Sequence, residues 1–227
     1  MRSDVAFVIP VYNEAAVVRG VVDRVLQQYR HVVCVNDFSR DASASEIAAT
    51  GAYLVNHPIN MGQGAALQTG IEFARDLPGV EYFVTYDADG QHRLEDVATM
   101  LETIEREGVD IVLGSRFLGQ EAVDMPRSKR TVLKLAVAFS NSVSGIKLTD
   151  THNGLRVFNR HVAETMQITL PDMAHASEIL EIMRRNRYTY TEVPVTIVYT
   201  DYSRGKGQSV INAVNIAVDT ILRKLSR

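Results

Sequence analysis

Two carboxylates stand one residue apart in Asp87-Ala88-Asp89-Gly90-Gln91-His92, directly after the apolar run Tyr82–Tyr86. Side chains at i and i+2 leave a strand toward the same side. Hard oxygen donors that keep open positions suit Mg2+ or Mn2+ shared with a diphosphate. An acidic turn is the competing reading, since Asp and Gly are common in turns. The place of the pair after a buried strand favours the metal, because ligands of an open parallel sheet bind beyond the carboxyl ends of its strands. His92 reads as a turn residue or as support for a ligand. Further on, Tyr202–Ser209 (YSRGKGQS) sets Arg204 and Lys206 on a glycine-rich loop, where two cations suit the oxygens of a diphosphate. Arg156 lies inside an apolar run and needs a buried anion, for which a bound ligand and Asp150 are equal candidates.

Positioning these groups falls to a series of short, almost continuously apolar runs. Val5–Val11, Val32–Asn36, Ala52–Asn56, Tyr82–Tyr86 and Ile111–Gly114 read as strands buried on both faces of a parallel sheet. Val18, Val21, Val22 and Val25 carry the helical i, i+3, i+4, i+7 spacing, and Val97, Met100, Leu101 and Ile104 repeat it. Asn60-Met61-Gly62-Gln63-Gly64-Ala65-Ala66 opens a helix after the third strand, with Gly62 and Gly64 either easing a tight turn or approaching a phosphate. Beyond residue 115 the chain predicts helices at Val132–Ser144 and Ser177–Arg187, strands at Leu155–Phe158 and at Thr189–Tyr199, the latter with Pro194 as a point where it can bend, and a final amphipathic helix, Val210–Leu225. The pattern is α/β, a mostly parallel central sheet sandwiched by helices, in one domain over 1–227. Its halves, about 1–115 and 116–227, differ in regularity.

Composition narrows the function classes. The 227 residues carry 24 Lys+Arg against 27 Asp+Glu, a net charge of −3, which excludes general electrostatic binding to nucleic acid. One cysteine, Cys34, rules out an intrachain disulfide and a cysteine-based zinc site, and its apolar surroundings place it in the core. No run approaches the roughly 18–20 apolar residues that span a membrane. The N-terminal MRSDVAFVIPVYNEA is broken too early for a secretory signal. The expected location is cytoplasmic, or peripheral at the inner face of the membrane.

The motifs together resemble the family 2 glycosyltransferases of the GT-A (Rossmann-like) fold, in particular the dolichyl- and polyprenyl-phosphate mannosyl- and glucosyltransferases, over roughly residues 5–210. The resemblance implies that Pro10, Tyr12, Asn13 and Glu14 border the nucleotide base and ribose. It also implies that Asp37, in Val35-Asn36-Asp37-Phe38-Ser39, bonds the base; Asn36 and Phe38 depart there from the family's V-D-D-G-S. Asn60, Gly62 and Gly64 match N-x-G-K-G, with Gln63 in place of Lys. Asp87 and Asp89 match D-x-D, with Gln91 as a further metal ligand. Arg116 matches G-S-R, Asp150, Gly154 and Arg156 match D-x-x-x-G-x-R, and Arg204–Ser209 matches the late basic loop loosely.

The implied reaction is an inverting, Mg2+- or Mn2+-dependent transfer of a sugar from a UDP- or GDP-linked donor. A polyprenyl phosphate acceptor is already an anion and needs no general base, and Arg116 or Arg156 would position it. A hydroxyl acceptor, on a glycan or small molecule, needs a carboxylate within reach, and Asp150 and Glu178 are the candidates. A sugar-nucleotide nucleotidyltransferase ranks lower, since Tyr12-Asn13-Glu14 stands where a basic glycine-rich loop would be expected. A non-catalytic sensor ranks lower because the DxD is intact. A dehydrogenase lacks its G-x-G-x-x-G after the first strand. The stretch Val132–Phe139, with Arg127, Lys129, Arg130 and Lys134 nearby, and the final helix with its basic end could pack on the core, form a homodimer, or meet a membrane or a membrane partner protein.

Overall fold

The structure, a computed structural model, describes residues 1–118, 137, 141, 145–151, 153–172 and 174–198. Seven strands form one sheet: β1 (Arg2–Val11), β2 (Tyr29–Asn36), β3 (Tyr53–Asn56), β4 (Tyr82–Thr85), β5 (Ile111–Ser115), β6 (Arg156–Asn159) and β7 (Tyr190–Pro194). Their spatial order is β3-β2-β1-β4-β6-β5-β7. Pairings of β1 with β2 and β4, of β2 with β3 and of β5 with β7 are parallel, whereas β6 runs antiparallel to both neighbours. The sheet is thus mostly parallel, with one reversed strand that the apolar pattern of Leu155–Phe158 did not distinguish.

Alternation along β1 shows why the strands are apolar throughout. Ala6 and Val8 join one core with Ala66, Leu67, Ile71 and Ala74 of helix α3 (Gln63–Arg75). Val5, Phe7, Ile9 and Val11 join the other with the four valines of α1 (Val18–Leu26) and with Val97, Met100, Leu101 and Ile104 of α4 (Leu94–Glu107). Each face of the sheet is therefore covered by helices, and a polar residue on either would be buried without water. The short α2 (Ser43–Ala48) and α5 (Arg160–Thr165) were not evident from periodicity, being too short to display a full apolar stripe. Helix α6 (Ala174–Asn186) corresponds to the expected Ser177–Arg187. Cys34 is fully buried, as its surroundings predicted.

The expected strand Thr189–Tyr199 stops at Pro194. Proline offers no N–H to a ladder, and beyond it Thr196 N–H turns to Asp96 Oδ2 (2.8 Å) and Val198 N–H to the Gln91 carbonyl (2.9 Å). The chain thereby leaves the sheet and crosses beside the DxD loop. Tyr199, the expected helices Val132–Ser144 and Val210–Leu225 and the basic loop Tyr202–Ser209 with Arg204 and Lys206 lie outside the described residues, apart from Val137 and Asn141.

The closeness of α3 to the sheet depends on Gly70, where a Cβ would stand 2.4 Å from Val8 Cγ1. Gly70→Ala should destabilise the fold by about 1–3 kcal/mol through overpacking. Gly20→Ala, on the open face of α1 with nothing within 4 Å of the new methyl, should stabilise it by about 0.5–1 kcal/mol. Urea unfolding with unchanged slopes checks both.

Candidate active site

The first four strands deliver their carboxyl ends to one edge of the sheet, and the reversed strand delivers its amino end there. Arg156, first residue of β6, pairs with Thr85 on one side and Leu113 on the other. This brings the Asp150–Arg156 segment to the edge that already carries Asp37, Asp87, Asp89 and Arg116. The Thr85 hydroxyl fastens it by donating to the Gly154 carbonyl at 2.6 Å.

Asp87 is the centre of this edge. Its Oδ2 accepts from His92 Nε2 at 2.9 Å and its Oδ1 from Gln63 Nε2 at 3.3 Å. Gly154 packs on the same carboxylate so closely that a Cβ would lie 2.6 Å from Oδ2. The third residue of the D-x-x-x-G-x-R motif to be placed, Arg156, is fully buried; its Nε and Nη1 have no hydrogen-bond partner among the described residues. Burial pushes the Asp87 carboxyl upward, but the His92 hydrogen bond and the nearby charges of His92, Arg156 and His175 outweigh it and hold the group below the ordinary carboxylate value. Burial lowers the Arg156 guanidinium despite Asp87 and Asp150 nearby. Burial, then the Arg156 charge, also lowers His175, whose Nδ1–H donates to the Asp172 carbonyl.

Asp89 is placed differently. Its Oδ1 accepts the Gln91 N–H at 3.0 Å, and it has no ion-pair partner among the described residues. Burial and then the charge of Asp87 raise its carboxyl above the ordinary value, which leaves Asp89 as surplus negative charge among the described residues. That surplus fits a divalent cation. Among the described residues no group of three or more His, Cys, Asp or Glu surrounds one point, so the chain would contribute the two carboxylates, and Mg2+ or Mn2+ fills such a shell with water and substrate phosphate.

Several expected site residues are brought to the same edge with their polar groups committed to the chain. Asp37 is buried at the end of β2: Oδ1 accepts from Met61 N–H and His57 Nδ1, and Oδ2 from Gly62 N–H, each at 2.8 Å. The side chain of Asn60 reaches the Asp37 carbonyl at 3.3 Å. Gly62 is buried with its N–H spent on Asp37, and at Gly64 a Cβ would meet the Leu170 carbonyl at 2.1 Å, so both glycines serve packing. Pro10 lies near the end of β1 and Tyr12 just past it; Asn13 Oδ1 accepts the Arg40 N–H at 2.8 Å, and Glu14 N–H donates to Ser43 Oγ at 2.8 Å, which fastens the loop after β1 to the loop after β2.

Arg116 and Asp150, expected as separate agents, are partners. Arg116 Nε and Nη2 meet Asp150 Oδ2 and Oδ1 at 2.6 and 2.8 Å, and the Arg116 N–H adds a third bond at 3.1 Å. Asp150 is fully enclosed. No hydrogen bond joins Asp150 to Arg156 among the described residues, although its charge raises that guanidinium. Glu178, on α6, accepts the backbone N–H groups of Thr169 and Leu170 at 3.0 and 2.8 Å and so holds that loop. Sequence reasoning missed His57, which braces Asp37 from the end of β3, and Glu192, which clasps the backbone of Thr149 and Asp150 at 2.8 and 3.2 Å. No local spacing reveals either; only strand register (Asn36 opposite Asn56) could have found His57.

Residues 6–166 match the glycosyl transferase family 2. The chain is 28% identical over 242 residues to the UDP-N-acetylglucosamine–dolichyl-phosphate N-acetylglucosaminyltransferase of Methanococcus voltae, covering 97% of this chain and 96% of that one. It is 27% identical over 221 residues to the polyprenol monophosphomannose synthase of Mycolicibacterium smegmatis, covering 92% and 81%. Glucosyl-3-phosphoglycerate synthase of Mycobacterium tuberculosis, solved with Mn2+, uridine diphosphate and glucosyl-3-phosphoglycerate, superimposes with a TM-score of 0.70 at 16% identity, covering 99% of this chain and 79% of that one; the likeness shows the GT-A fold.

The contrast between the two acidic positions can be measured. Asp37→Ala strands the N–H groups of Met61, Gly62 and His57 and should cost about 2–3 kcal/mol of stability. Asp89→Ala removes a carboxylate whose charge is unfavourable in the isolated chain and should change stability by no more than about 0.5 kcal/mol. Chemical denaturation of the two variants beside the wild type checks the difference.

Proposed function

The chain belongs to glycosyl transferase family 2 and is a glycosyltransferase, and on that premise we propose that it moves a sugar from a nucleoside-diphosphate donor to a polyprenyl phosphate in one inverting, metal-dependent displacement. The observation that carries the choice of acceptor is the commitment of the two carboxylates that could have activated a hydroxyl. Asp150 is enclosed in its pair with Arg116, and Glu178 is spent on the amides of Thr169 and Leu170. A phosphate needs neither, because its oxygen is already a nucleophile. Two relatives whose names specify dolichyl phosphate and polyprenol monophosphomannose agree with this reading.

In the reaction, an acceptor phosphate oxygen bonds the anomeric carbon from the face opposite the nucleotide. The bond from that carbon to the β-phosphate oxygen breaks with its electron pair, and no proton is moved. Asp87 and Asp89, with Gln91 beside them, would hold a Mg2+ or Mn2+ whose charge offsets that gained by the departing diphosphate. Asp87 is oriented for this by His92, Gln63 and the bare backbone at Gly154. The Arg156 N–H groups that have no partner among the described residues make it the better candidate for binding a phosphate oxygen, since Arg116 is paired with Asp150. Arg204 and Lys206, a few residues past Val198, would add positive charge to the diphosphate. Pro10, Tyr12, Asn13 and Glu14 border the donor's nucleoside, the first half of the single domain binding the donor and the second the acceptor.

The reading is tested by incubating the protein with Mn2+, UDP- and GDP-sugars and either a short polyprenyl phosphate or a panel of alcohol and glycan acceptors. Nucleoside diphosphate should be released with the lipid phosphate, stop with EDTA, and vanish in Asp89→Ala although that variant stays folded. Gly154→Ala should lower the rate at least about tenfold by displacing Asp87. Transfer to hydroxyl acceptors alone, or release of nucleoside triphosphate, would overturn it.

Among the described residues no helix is long and apolar enough to cross a membrane, so we also propose peripheral contact through the basic C-terminal stretch. The full chain should float with anionic liposomes and a truncation after Gln208 should not; flotation of neither leaves a homodimer or a partner protein as the occupant of that face.

A further inference from the structure

Between Asp89 and Gln91 the DxD loop turns on Gly90, at a φ of +74°, where the backbone is at its most pliable. The Asp89 carboxylate accepts the Gln91 N–H at 3.0 Å, so the two residues move together. What steadies Gln91 comes from a distant part of the chain. Its carbonyl accepts the Val198 N–H at 2.9 Å.

Val198 ends a strap that leaves the sheet after β7 and crosses this loop. The root of the strap is tight. Val195 N–H donates to the Ser115 carbonyl at 3.0 Å, and Val195 fills the space that Gly114 leaves, where a Cβ would lie 2.9 Å from its Cγ1. Midway, the Thr196 N–H donates to Asp96 Oδ2 at 2.8 Å. Asp96 is the third residue of α4, a position from which an acid can reach back to the N–H groups left free at the start of its own helix. Arg93 before the helix gives no side-chain cap either. The carboxylate that could have capped α4 is instead bonded to a residue 100 positions along the chain.

We propose that Asp96 is a positioning residue for the cation site: by anchoring the strap it keeps Val198 bonded to the Gln91 carbonyl, and so holds Asp89 in place for Mg2+ or Mn2+. The strap and the ion are then coupled through Gln91. By linkage, releasing the strap weakens the ion by the factor by which the ion tightens the strap. The inference rests on the reading of Asp87 and Asp89 as metal ligands.

Two substitutions separate the strap from plain charge. Asp96→Asn removes a negative charge near the site but keeps an oxygen for the Thr196 N–H, whereas Asp96→Ala removes both. Mn2+ binding is read from the loss of the free ion's electron paramagnetic resonance signal, with UDP or GDP present. Asp96→Asn should bind Mn2+ within about twofold of the wild type, because charge at a distance is screened. Asp96→Ala should bind it at least about fivefold more weakly. A second readout follows the strap itself. Cys34 is fully buried, so a thiol-reactive fluorophore marks Val198→Cys alone. Mn2+ should shift its emission when Asp96 or Asn stands at position 96, and leave it unchanged when Asp89→Ala is added. Equal loss of Mn2+ affinity in Asp96→Asn and Asp96→Ala would reduce Asp96 to its charge and overturn the proposal. Unchanged affinity in Asp96→Ala, whatever its stability, or a reporter silent to Mn2+ with Asp96 in place, overturns it as well while leaving the metal ligands standing. If the wild type binds no Mn2+ with either nucleotide, the metal reading itself fails, and this inference falls with it.

Discussion

A carboxylate packed against bare backbone is the contact on which this edge of the molecule depends. Burial opposes the charge of Asp87, and the His92 hydrogen bond with the nearby charges of His92, Arg156 and His175 outweighs it; Gln63 bonds its other oxygen, and Gly154 lets the chain of the opposite strand come within reach. That approach exists because β6 runs against its neighbours. Inserted between β4 and β5, it enters the sheet at the edge where the others leave, and so presents Asp150, Gly154 and Arg156 to Asp87 and Arg116. A parallel β6 would carry the same residues to the far edge of the sheet.

The acidic residues at this edge divide by what they already hold. Asp37 is filled by amides and an imidazole, Asp150 by a guanidinium, Glu178 and Glu192 by loop amides. Each satisfies buried donors that would otherwise be costly, and each fixes a loop that frames the site. The pair Asp87 and Asp89 differs in that Asp89 accepts only the Gln91 N–H among the described residues, and burial and then the charge of Asp87 raise it. Arg156 is the counterpart of that pair on the cationic side: buried between Asp87 and Asp150, with N–H groups that no described residue accepts. Among the described residues, Asp89 without an ion-pair partner and Arg156 N–H donors without an acceptor suit a site for a cation and a phosphate.

The elements that could be read from the sequence are those whose burial is periodic. The five strands of the first half, the valine stripe of α1 and the apolar stripe of α4 follow from alternation and from the 3.6-residue repeat. The DxD was legible because a turn after a buried strand has a fixed place in an open sheet. The short α2 and α5 were not, and neither was the direction of β6, since a run of apolar residues reads the same in a parallel or an antiparallel ladder.

The residue types, their order and the family motifs were therefore determined by the sequence alone, down to Asp87, Asp89, Asp150 and Arg156 as candidates. Which candidates were already taken was decided only by the tertiary structure. A carboxylate looks equally available in a sequence whether it ends up open, like Asp89, or saturated, like Asp37 and Asp150, because its partners stand 20 to 34 residues away and meet it through strand register. The same holds for Phe38: the letter marks a departure from glycine, but only the backbone angle of +60° shows that the chain carries strain to keep a ring there. Hydrogen bonds and dihedral strain are properties of the folded arrangement, and local spacing does not encode them.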